Sequence, residues 1–131
     1  MKKVMVGTTA EGGADAALVA AARLAAAADA ELVVLEVEPA LDARRVFDPA
    51  GVPAGTARRS RVLLDFPGVR VSRRRVRGNA VRTMCEAAEA ERPDLIVVPH
   101  GRAATGETLL SRRASRNLVA RASCPVLLVA S

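Results

Sequence analysis

Tryptophan and tyrosine are absent from this chain, and phenylalanine occurs only at Phe47 and Phe66. A core without large rings has to be built from Ala, Val and Leu. The same absence removes base stacking as a means of holding nucleic acid. Histidine occurs once, at His100, and cysteine twice, at Cys85 and Cys124. Neither cysteine stands at a ligand-like spacing from the histidine, so no zinc-type pattern is present. No Ser-His-acid or Cys-His set assembles around His100, which reads as a solvated loop residue. No apolar run reaches the roughly 18 residues of a membrane span. The opening Met1-Lys-Lys-Val-Met-Val-Gly7 is too short in apolar residues for a signal-peptide core and reads as a first strand. A cytoplasmic location with both thiols free is therefore expected.

What is present describes a compact folded chain. Its 131 residues are 50% hydrophobic with mean hydropathy +0.17, suited to one domain over residues 1–131. Charge is lopsided. Residues 1–66 hold 8 basic and 9 acidic side chains, a balance of −1; residues 67–131 hold 12 and 5, a balance of +7. Eighteen of the 20 basic residues are arginine. The first reading of this half is a solvated basic surface, and the second is an anionic partner.

Hydrophobic periodicity supplies the elements. Lys3 to Gly7 reads as a strand, and the alanine-rich Ala14 to Ala28 as a helix with Leu18, Val19, Ala22 and Leu24 on its apolar stripe. Glu31 to Glu38 has the continuous apolar run of a buried strand. Residues 39–67 are the least regular, with a short helix expected over residues 56–64. Val69 to Val76 reads as a strand whose charged end, Arg73 to Arg77, suits a sheet edge. Gly78-Asn79 makes a turn, with Asn79 as N-cap of a helix over Ala80 to Glu91. That helix places Val81, Met84, Cys85 and Ala88 on one face, and Pro93 ends it. Asp94 to Val98, then a helix over Thr108 to Arg121, then Cys124 to Val129 close the chain as a βαβ unit. Strands alternating with helices imply a parallel α/β sheet, with any ligand at the strands' carboxyl ends.

This order resembles the universal stress protein family. The likeness is carried by Lys3-Val-Met-Val-Gly-Thr-Thr, Leu32-Val-Val-Leu-Glu-Val, Arg77-Gly-Asn-Ala, Pro93-Asp-Leu-Ile-Val-Val and Ala122-Ser-Cys-Pro-Val-Leu-Leu-Val. It implies a five-stranded parallel sheet in the order 3-2-1-4-5, helices on both faces, and a sandwich like that of adenine-nucleotide hydrolases. It also implies a regulatory stress-response role and a homodimer joined through the last strand, Pro125 to Ala130. Members that bind ATP resemble one another in a loop of Gly-x-x-Gly, nine residues, then Gly-Ser or Gly-Thr. Glycines there let backbone amides approach phosphate. Here those positions are Pro99, Arg102, Arg112 and Arg113, and a one-residue shift recovers Gly101 alone. The aspartate that binders carry after the first strand is Gly7.

The expectation is a degenerate nucleotide site, with ATP bound weakly or not at all and no cofactor required. The alternative keeps an anion or nucleotide through side chains. Its mouth would comprise Thr8, Thr9, Val37, His100, Gly101, Arg102, Arg112, Arg113 and Ser115, with guanidinium groups in place of amides. A nucleotide-using enzyme of related fold is a further alternative. It would need paired carboxylates at the strand ends, and Glu107 is the nearest acid there in sequence, standing alone. A nucleic-acid partner is not expected, since no helix-turn-helix pattern accompanies the basic half; contact with phosphates alone is the one route left to it.

Overall fold

A computed structural model describes residues 1–9, 15–38, 61–100 and 110–130, with backbone alone for Thr9, Asp15 and Arg112. Its elements are β1 (Lys3–Thr9), α1 (Asp15–Ala28), β2 (Glu31–Glu38), β3 (Val71–Arg77), α2 (Ala80–Glu91), β4 (Leu95–His100), α3 (Arg112–Arg121) and β5 (Val126–Ala130). The five strands form one sheet in the order β3-β2-β1-β4-β5, all neighbours parallel. The expected order holds, and the arginine-rich β3 is an edge.

Strand alternation divides the core in two. Val4, Val6, Leu32, Val34 and Val97 face α1 and pack on Ala17, Leu18, Ala21, Ala22 and Ala25. Met5, Val33, Leu35, Ile96 and Val98 face the other way, onto Val81, Met84, Ala88 and Leu118 of α2 and α3. The α1 stripe is narrower in side chain than its sequence suggests. Val19 and Leu24 are only half-buried, whereas Ala17, Ala21 and Ala25 are fully buried.

Boundaries follow local chemistry. Asn79 caps α2 by accepting a hydrogen bond from the Arg82 amide at 3.1 Å, as expected from sequence. Arg92 ends the helix in the left-handed conformation at φ 50, and Pro93 follows. β3 begins two residues later than expected. The Val69 amide donates to the Phe66 carbonyl at 3.1 Å, so Val69 belongs to the preceding turn. Of the helix expected over residues 56–64, residues 61–63 are helical; residues 56–60 lie outside those described. Gly78 takes φ 133, a conformation that favours glycine, and its amide reaches the Glu38 carbonyl at 2.8 Å. No described helix is long and apolar enough to cross a membrane.

Candidate functional site

The sheet changes direction between β1 and β4. From β1 the chain proceeds to β2 on one side, while β4 is followed by β5 on the other, so this is the topological switch point. The last pair in the β1–β4 ladder is Val6 with Val97. β1 nevertheless continues beside β2 to Thr9 opposite Val37, and β4 continues beside β5 to His100 opposite Ala130. Gly7 to Thr9 and Val98 to His100 therefore leave their mutual ladder and form the two lips of a mouth. Pro99, which has no amide hydrogen, sits in the middle of one lip.

Gly7 faces α2, and the space before it is taken. A Cβ there would lie 2.9 Å from Met84 Cε, 3.1 Å from Met84 Sδ and 3.4 Å from Val98 Cγ1. Met84 is fully buried, so a methionine fills the position into which a longer residue 7 would project. Thr8 is also fully buried, and its hydroxyl donates to the Leu35 carbonyl at 3.2 Å. By strand alternation it points toward α1 with Val6. Val37 is buried among apolar side chains on the opposite face. His100 is half-buried on that same face, two residues beyond Val98. Its Nδ1 is buried and has no hydrogen-bond partner among the described residues.

α3 begins later than the expected Thr108. Ser111 is extended at φ −66 and ψ 167, and its Oγ accepts from the Ala114 amide at 3.1 Å, making it the N-cap. A serine hydroxyl thus holds an amide of the first turn that a bound phosphate would otherwise seek. Arg112 is the first helical residue and Arg113 is exposed. Ser115 is 2% exposed, and its Oγ finds no partner among the described residues. Gly101 and Arg102 lie outside those residues. Of the expected mouth, Val37, His100 and Ser115 belong to the side of α2 and α3, while Thr8 turns to the other.

Sequence reading missed two acids here. Glu36 and Glu38 stand at the carboxyl end of β2, 3% and 2% exposed, so the strand ends do carry paired carboxylates. Both are held by the edge strand. Arg75 reaches Glu36 and Glu38 at 3.6 Å each, and Arg77 reaches Glu38 at 3.6 Å. Ser111 could have been found from its position before the helix; the Met84–Gly7 contact has no local signal. Among the described residues no three His, Cys, Asp or Glu side chains group as for a metal ion. Burial, with smaller contributions from Asp94 and Cys85, pushes the Cys124 thiol up, which keeps it protonated and a weak nucleophile.

The model of the universal stress protein family matches residues 1–130. The chain belongs to the universal stress protein family. Solved members share its fold across nearly its full length. A universal stress protein family protein from Burkholderia pseudomallei is 28% identical, with TM-score 0.64 over 98% of this chain and 95% of that one. A universal stress protein in complex with cAMP is 23% identical, with TM-score 0.71 over 98% and 96%. A family protein from Arabidopsis thaliana with AMP bound is 18% identical, with TM-score 0.65 over 99% and 92%. A comparison with curated protein sequences found no match.

Proposed function

We propose that this universal stress protein is a regulatory, stress-response member whose nucleotide site is degenerate and takes ATP weakly or not at all. The observation that carries this reading is the Met84 side chain packed against Gly7, where a Cβ would lie 2.9 Å from Met84 Cε. An aspartate there would have to displace the end of the Met84 side chain. The serine cap at Ser111 and the committed Thr8 hydroxyl support the same reading. Titration calorimetry with Mg-ATP tests it. No heat of binding is expected at micromolar protein, and a dissociation constant below about 10 μM, or about −7 kcal/mol, overturns it.

A second reading is favoured by Ser115 Oγ and His100 Nδ1, both buried and without a partner among the described residues. In it, a small anion or a nucleoside monophosphate sits at the mouth and is held by side chains. Relatives solved with cAMP and AMP make these the ligands to try. Stabilisation in a thermal-shift screen by AMP, cAMP or sulfate, lost in Ser115→Ala, supports this reading; no shift with any of them removes it.

The same proposal includes a homodimer through β5. This strand ends the sheet order, and Leu127 and Leu128 on it are 38% and 37% exposed. An apolar edge strand with unpaired backbone groups tends to be covered, and a second copy would pair it across a two-fold axis. Light scattering should give twice the chain mass, and Leu127→Lys should halve it. A monomeric mass for the unmodified protein removes the dimer.

A further inference from the structure

The arginines of the basic half meet two different fates. On β3, Arg74 bonds Glu91 at 3.0 Å, and Arg75 and Arg77 hold Glu36 and Glu38. On α3, Arg112, Arg113, Arg116 and Arg121 occur in ten residues without a single acid. Arg113, Arg116 and Arg121 are exposed and have no carboxylate partner among the described residues. Positions 113, 117 and 121 are four residues apart and 116 is three from 113, so they follow one outer face over about 12 Å of helix. Asn117, between them, is also exposed. The face is therefore rich in hydrogen-bond donors and strongly positive.

What the face lacks selects its partner. Val119, 52% exposed, is the one large apolar side chain exposed on α3. A membrane-surface helix needs a broad apolar face, and a protein interface needs an apolar centre. Single-stranded nucleic acid needs aromatic platforms, and neither phenylalanine is on α3. Repeated phosphates remain as the chemistry that guanidinium groups match best. The inner face is committed to the sheet through Ser115 and Leu118, 2% and 0% exposed, so only the outer face is open to a partner. We propose that the outer face of α3 binds the phosphate backbone of duplex DNA without reading its bases. This inference does not depend on the state of the nucleotide mouth.

The test is fluorescence anisotropy with two unrelated labelled duplexes across a salt series. Three phosphate contacts give a slope of log affinity on log salt of about −3, equal for both sequences. The triple variant Arg113→Gln, Arg116→Gln, Arg121→Gln should weaken binding at low salt by roughly tenfold or more and flatten the slope toward zero. The matching triple lysine variant should keep most of the affinity, since charge without fork geometry still attracts phosphate. Arg23→Gln, an exposed arginine on α1, should change nothing, and thermal melts check that each variant folds. No binding by the unmodified protein at low salt, or binding unchanged in the triple glutamine variant, overturns the proposal. So does tighter binding to anionic phospholipid vesicles or a polyglutamate peptide than to DNA.

Discussion

The two ends of the sheet treat their polar groups in opposite ways. At the amino end, Asp94 accepts the Lys2 and Lys3 amides at 2.7 and 3.0 Å, and Glu91 joins Lys3 and Arg74 at 3.2 and 3.0 Å. Polar atoms there hold the first strand to the end of α2 and the start of β4. At the carboxyl end, a methionine closes the space before Gly7, while Ser115 Oγ and His100 Nδ1 are buried without partners among the described residues. Buried polar atoms without partners carry a cost. Charge alone therefore does not mark the candidate functional end. Ion pairs stand at both ends, with Arg75 and Arg77 on Glu36 and Glu38 at the carboxyl end, so that end is identified by what it blocks.

The largest effects expected at the carboxyl end come from Gly7→Asp and Met84→Ala. Overpacking against Met84 and burial of a carboxylate should cost about 3 kcal/mol in urea denaturation. Met84→Ala opens a cavity and should cost about 2–4 kcal/mol. If the two side chains compete for one space, the double variant loses less than the sum, by about 1 kcal/mol or more. Strict additivity would break the reading of a plugged site.

Arg75→Gln comes next. It strips Glu36 of its Arg75 contact and leaves Glu38 with Arg77. The guanidinium is half-exposed, so the expected loss is about 1–2 kcal/mol, below that of a fully buried pair. Arg74→Gln, on an exposed pair, should cost less than about 1 kcal/mol. Equal losses would erase the distinction between buried and exposed pairing on the same strand.

Acid should weaken the amino end first. Burial pulls the Glu91 carboxyl up, but the hydrogen bond from Lys3 and the charges of Arg74 and Lys3 outweigh it and hold it below its ordinary 4.5. Hydrogen bonds from the Lys2 and Lys3 amides hold Asp94 below 3.8. Lowered folded values mean stabilisation present above those ordinary values and lost as pH falls through the folded ones. Melting temperature should therefore be flat near neutrality and fall below about pH 4.5. Glu91→Gln with Asp94→Asn should flatten part of that fall; an unchanged acid limb would sink this assignment.

The smallest effect is a gain. Arg92 holds a left-handed φ of 50 at the end of α2, where glycine carries no Cβ penalty. Arg92→Gly should stabilise by about 0.5–1 kcal/mol, measured by denaturant midpoint. A loss there would mean that the arginine side chain contributes more than its backbone costs.

The fold was legible because its signals are local. The apolar runs of β2 and β4, the Asn79 cap with Pro93 after α2, and the charge on β3 each declare an element within a few residues. The site was legible only as a location. Thr8 was grouped with Ser115, but the parity of β1 turns its hydroxyl to the opposite face. Glu36 and Glu38 escaped notice because their partners Arg75 and Arg77 are brought alongside only by the β2–β3 register. Met84 meets Gly7 through helix-on-sheet packing, which no sequence period reports. The start of α3 was misplaced because Ser111 acts as a cap rather than as an interior residue.

The plugged mouth is tested most directly by calorimetric titration of Mg-ATP into the unmodified protein and into Met84→Ala with Gly7→Asp. No binding is predicted for the first. The paired substitution, which removes the plug and supplies the missing carboxylate, is predicted to acquire measurable affinity. Binding below about 10 μM by the unmodified protein contradicts the account.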